Sequence, residues 1–134
     1  MTQKQTAIQS VIDIHDLIEQ VFTTNHSQAL QSLIASFHPD FKMIAMNGTK
    51  VSLTDVAQLF TQKQDSRPSL KITIQDIEVI SKCENIVWLR YQENHYENGD
   101  LKSAPHQRLS TAGIIVEGTK WQWLYLHETE IQKC

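Results

Sequence analysis

WQWLYLHETEI, from Trp121 to Ile131, is the stretch whose reading decides the fold. Residues alternate across a strand, so Trp121, Trp123, Tyr125 and His127 fall on one side and Gln122, Leu124, Leu126 and Glu128 on the other. Both sides carry too much apolar surface for a strand with one face in water, and the segment ends in the polar group His127–Glu128–Thr129. The pattern predicts a strand covered on both faces, with its polar end closing a pocket.

Working back from it, every segment from Leu70 onward reads as strand: Leu70–Ser81, Ile86–Glu97, His106–Val116, then Trp121–Ile131. Asn98–Gly99 and the neighbourhood of Gly118 mark the turns between them. The first half has helical periodicity instead. Thr6 with Gln9 fits a capping box ahead of Ile8, Val11, Ile14, Ile18 and Phe22. Asn25 or Ser27 can cap a second helix carrying Leu30, Leu33, Ile34 and Phe37, which His38–Pro39 ends. Phe41–Met46 is a short strand turning at Asn47–Gly48, and Ser52 with Asp55 opens a third helix. Helices segregated ahead of a run of strands predict an α+β class, with the helices on one face of an antiparallel sheet.

Bulk properties narrow the function. The chain has 134 residues, 40% apolar and 20% charged, with a formal net charge of −3, which fits one globular domain over residues 1–134. The acidic balance and scattered lysines and arginines argue against nucleic acid as a partner. No apolar run reaches a transmembrane length, and MTQKQTAIQS lacks the features of a secretory signal. With two isolated cysteines, Cys83 and Cys134, the chain reads as cytoplasmic. The six histidines form no HxH or HxxxH pair, and there is no CxxC and no glycine-rich phosphate loop. No metal or cofactor is therefore expected.

The element order, with FHPDF (Phe37–Phe41) and KWQWLYLHET (Lys120–Thr129), resembles the nuclear transport factor 2-like superfamily over roughly Ala7 to Ile131. That superfamily includes ketosteroid isomerase, SnoaL-type polyketide cyclases and the association domain of calmodulin-dependent kinase. The resemblance implies a cystatin-like cone, in which a curved antiparallel sheet wraps three helices around an internal pocket, and it implies a homodimer. It also implies where an isomerase would carry its base and its oxyanion donor: an acid near the end of the first strand and a Tyr on the first helix. Ile44–Ala45–Met46 contains no acid, and the tyrosines are Tyr91, Tyr96 and Tyr125. Ketosteroid isomerase activity is not expected.

Candidate site residues follow from parity. A three-residue loop, Val116–Glu117–Gly118, sets Arg108 opposite Leu126; a two-residue turn, Glu117–Gly118, sets it opposite His127. We favour the first, because the resemblance implies that Leu124, Leu126 and Glu128 face the pocket, beside Arg108 and Ser110. Trp121, Trp123 and Tyr125 then face outward as a dimer interface. The alternative makes those rings core and turns the leucines outward. Arg108, oriented by Glu128, can take a carboxylate or enolate oxygen, or can simply pair with it. His15, on the apolar face of the first helix, is the titratable candidate. Tyr91 and Glu93 can line the pocket, while His95 and Tyr96 read as solvent-facing. The readings that follow are a binding module for a small organic acid or carbonyl compound; a SnoaL-like isomerase, cyclase or dehydratase with His15, Glu93 and Arg108 as catalytic candidates; or a dimerisation domain without catalysis.

Overall fold

The computed structural model describes residues 1–97 and 104–131. Three helices and six strands follow in the order α1 (Gln3–Thr23), α2 (Ser27–Ala35), β1 (Phe37–Ile44), β2 (Lys50–Ser52), α3 (Leu53–Gln62), β3 (Lys71–Cys83), β4 (Ile86–Tyr96), β5 (His106–Glu117) and β6 (Lys120–Glu130). The strands form one curved sheet in the order β2-β1-β6-β5-β4-β3. All neighbours are antiparallel except β1 and β6, which run parallel, so the sheet is mixed rather than purely antiparallel. A parallel pair needs a long crossover, and here residues 45–119 lie between the two strands.

Local chemistry sets the helix starts. Two TxxQ patterns follow one another at the N-terminus, and the first of them forms the capping box: the Thr2 side chain accepts from Gln5 N while Gln5 accepts from Thr2 N. Thr6 is therefore inside the helix and buried. The helix gains a turn because the amides of Thr2, Gln5 and Thr6 each find a partner in the box. Ser52 and Asp55 cap α3 reciprocally. His26, between the two expected caps, opens α2 by accepting from Ala29 N. Proline at 39 stops α2 early, and Phe37 and Phe41 become strand residues with their rings in contact at 4.6 Å.

Helix α1 lies across the inner face of the sheet. Ala7, Val11, Ile14 and Val21 recur on one side and meet Val87, Leu89, Tyr91, Ala112, Ile114 and Val116 from β4 and β5 in one core. No helix among the described residues is long and apolar enough to cross a membrane. The Asn98–Gly99 turn and Cys134 lie outside the described residues, and Cys83 is an exposed free thiol.

The β5–β6 hairpin corrects the expected register. Its turn is Gly118–Thr119, Gly118 taking the left-handed φ of 63° that such a turn requires. Leu124 is an extra residue, because Ile114 pairs with Trp123 and Gly113 with Tyr125. A bulge of this kind shifts the parity of everything beyond it. Trp121 and Trp123 thus belong to the inner face, with Trp123 1% exposed. Tyr125 stays on the outer face, against Trp88 at 5.9 Å. Of the three rings expected to face outward, Trp121, Trp123 and Tyr125, only Tyr125 does so, and Trp88 lies beside it. The Trp88 ring lies over Gly113, where a Cβ would come within 2.7 Å of it.

Candidate functional site

Between α1, α3 and the inner face of the sheet is a cavity of about 210 Å³. Aromatic rings form much of its wall: Phe22 from α1, Phe37 and Phe41 from β1, Phe60 from α3 and Trp123 from β6. Ile14, Ile18, Met43, Val51, Val56 and Leu126 complete the apolar part. The polar lining comes from His15, Arg67, Glu93, His95, Arg108 and Glu128. An apolar hollow with a few converging polar groups is the usual form of a small-molecule site.

Strand parity explains the convergence. On β4 the odd positions Tyr91, Glu93 and His95 turn inward, as do Arg108 and Ser110 on β5. On β6 the bulge brings Leu126 and Glu128 to the same face, with Ser110 opposite Glu128 and Arg108 opposite Glu130. Arg108 and Glu128 thus meet diagonally, in neither of the two registers expected from the turn. Leu124 is not in the wall, because it is the bulged residue. Tyr91 and Ser110 are fully buried behind the lining.

His15 and Glu93 form a buried pair. His15 Nδ1 lies 2.7 Å from the Val11 carbonyl, which only accepts, so Nδ1 carries a proton. Its Nε2 lies 3.0 Å from Glu93 Oε1, an arrangement that favours imidazolium against carboxylate. Burial alone lowers the His15 pKa, but the Glu93 carboxylate outweighs it and raises it above its ordinary value. For Glu93, burial pushes upward, while the charge and hydrogen bond of His15 and the bond from His95 hold the carboxyl far below the usual range. The Tyr91 hydroxyl lies 3.4 Å from His15 Nε2, and burial next to two carboxylates raises its pKa well above its usual value.

Sequence reading missed His95. It is 5% exposed and its Nε2 donates to the second oxygen of Glu93. Burial lowers its pKa despite the neighbouring carboxylate. The signal was its parity, shared with Tyr91 and Glu93. β4 runs on through Tyr96, so His95 lies within the sheet and faces inward rather than toward solvent. Among the described residues, its Nδ1 and Arg108 Nε are buried polar atoms without a protein partner, and such atoms are uncommon in folded proteins.

The second charged pair is looser. Arg108 reaches Glu128 through one nitrogen only, at 3.4 and 3.5 Å, and its other terminal nitrogen is 3.5 Å from His106 Nδ1. A close charge-assisted fork has bonds of about 2.7–2.9 Å. Burial and then the Glu93 charge raise the Glu128 pKa, which Arg108 only partly offsets. At the rim, Arg67 pairs with Glu97 and stacks over the Phe22 ring at 5.3 Å.

No family model and no curated protein matches the chain. Solved structures do. An NTF2-like protein of unknown function from Pseudomonas aeruginosa superposes with a TM-score of 0.87 at 24% identity, covering 95% of this chain and 99% of that one. An NTF2-like protein from Cytophaga hutchinsonii gives 0.70 at 12%, covering 98% and 100%. A candidate dehydratase of the NTF2-like family from Streptomyces avermitilis gives 0.71 at 10%, covering 97% and 99%. Likeness at these identities establishes the nuclear transport factor 2-like, cystatin-like fold.

Proposed function

We propose that this chain acts as a single domain of the SnoaL-like type that holds a small organic acid or carbonyl compound, its apolar body among the phenylalanines and its oxygens at Arg108. The observation that supports this best is the state of Arg108. It lines a largely apolar cavity, has only long contacts to Glu128 and His106 among the described residues, and leaves Nε unbonded there. A guanidinium so weakly engaged retains donors for a ligand oxygen. Glu128, Leu126 and His15 complete the binding wall, with Tyr91 and Ser110 behind it. A thermal-shift series with small carboxylic acids and aldehydes tests the reading. Stabilisation of the wild type that is lost in Arg108→Ala supports it; no stabilisation, or an equal response in the variant, overturns it.

The His15–Glu93–His95 array favours a second reading, acid–base catalysis on a bound carbonyl compound. Paired groups whose surroundings push their proton affinities apart suit a proton-transfer site. Here Glu93 or His15 would move the proton and Arg108 would hold the enolate oxygen. Exchange of α-protons for deuterium in the bound compound, abolished in His15→Ala and Arg108→Ala, is the expected result. Its absence across a broad carbonyl panel removes catalysis and leaves binding.

We further propose a homodimer through the outer sheet face and a place in the cytoplasm. Support for the dimer is the Trp88–Tyr125 pair on that face, with Leu109, 41% exposed, further along β5. Gln75, Gln92 and Gln107 surround Asn94 there with uncharged amides. Support for the compartment is the free thiol of Cys83. Tyr125→Glu should halve the mass seen by light scattering, and a monomeric wild type at high concentration overturns the dimer.

A further inference from the structure

We propose that Glu128 is a proton-taking gate on Arg108: a small organic carboxylate enters by displacing the Glu128 carboxylate from the guanidinium, and Glu128 binds one proton from solvent as it does so. This rests on the ligand reading above and narrows it to an acid.

The argument is a count of buried charge. Facing Glu128 are His15 from α1, Tyr91, Glu93 and His95 from β4, and Arg108 from β5, with Arg67 from the segment after α3 across the cavity. The lining contributed by β1 is apolar. His15 is matched by Glu93, and Arg67 by Glu97. That leaves Arg108 and Glu128, which neutralise one another. A bound carboxylate therefore brings one negative charge too many into a site largely closed to water, where an unmatched charge is expensive.

Of the two cavity carboxylates, Glu93 is held ionised by both histidines. Glu128 has only the long contacts to Arg108. Once a ligand takes the guanidinium, Glu128 has no cation left, and its neutral form becomes the cheaper one. As a carboxylic acid it also gains an O–H with which to donate to the ligand oxygen, so the two carboxyl groups share one proton, the arrangement close carboxylate pairs adopt. Before binding, the site holds Arg108 cation and Glu128 anion; afterwards it holds Arg108 cation, ligand anion and neutral Glu128. The net charge is conserved by uptake of a single proton.

Calorimetry of the full chain in two buffers of different ionisation enthalpy tests this. The probes are straight-chain acids from acetate to octanoate, benzoate and phenylacetate, with benzamide and benzaldehyde as neutral counterparts. The wild type should take up close to one proton per acid bound, with affinity falling about tenfold per pH unit wherever that uptake is complete. Glu128→Gln should bind the same acids without proton uptake or pH dependence, and more tightly than the wild type at about pH 8. If that variant does not fold, the carbon-13 resonance of the Glu128 carboxyl in the wild type should show its protonation on ligand addition. Acid binding without proton uptake, or uptake that persists in Glu128→Gln, overturns the gate while the ligand reading stands. Binding of the neutral probes alone has the same consequence. No binding by any probe overturns both.

Discussion

Replacing Glu93 by alanine should destabilise the protein by about 3–5 kcal/mol, because it leaves a buried imidazole without the carboxylate that charges it. Glu93 is 3% exposed and bonds to two histidines, so little of that loss can be recovered by water. Unfolding entropy of roughly 2.1 cal/mol/K per residue over the 134 residues converts the loss into a fall in Tm of roughly 11–18 °C. Glu93→Gln is the gentler control. Its amide can accept from His95 and donate to a neutral His15, so about 1–2 kcal/mol is expected.

The pH dependence follows from the signs. The depressed Glu93 pKa contributes stability that is present above its ordinary value of 4.5 and is lost as pH falls through the folded value. The raised His15 pKa contributes stability that is present below 6.5 and is lost as pH rises through its folded value. The Tm gap between wild type and Glu93→Gln, measured by calorimetry, should therefore be widest between about pH 4.5 and 6.5 and narrow on both sides. A gap that does not vary with pH, or an alanine variant within about 1 kcal/mol of wild type, would refute the buried ion pair.

Trp123→Ala should cost about 3–5 kcal/mol as a core truncation, and Trp123→Glu should abolish folding rather than dissociate an oligomer, as circular dichroism would report. Gly113→Ala should cost about 1–3 kcal/mol, because the Trp88 ring must leave its place; a shift in Trp88 fluorescence should accompany the loss in chemical denaturation. Ser52→Ala should cost about 1 kcal/mol through the α3 cap alone, visible as a reduced denaturation midpoint with an unchanged slope.

Much of the architecture was legible because its signals are local. Apolar period, the Ser52–Asp55 box and the Gly-containing turns gave the element order. That His15, Glu93 and Arg108 face the cavity was legible from the apolar face of α1 for His15 and from strand parity for Glu93 and Arg108. The misses are long-range or turn on one residue. Nothing local tells β1 to run parallel to β6. One extra residue, Leu124, divides the aromatic stripe between core and surface, so each of the two parities weighed from the sequence was right for half the strand. His95 was read as solvent-facing because it approaches Asn98–Gly99, whereas its parity with Tyr91 and Glu93 turns it inward. The His15–Glu93 bond joins positions 78 apart, which no periodicity relates.

The most direct measurement is a crystal structure grown with millimolar benzoate. The account predicts a benzoate ring among Phe22, Phe41 and Phe60, with its carboxylate within hydrogen-bonding distance of the Arg108 guanidinium and Glu128 displaced from it. A cavity without benzoate and an undisturbed Arg108–Glu128 pair, in crystals of protein shown to be saturated with the acid, would contradict it.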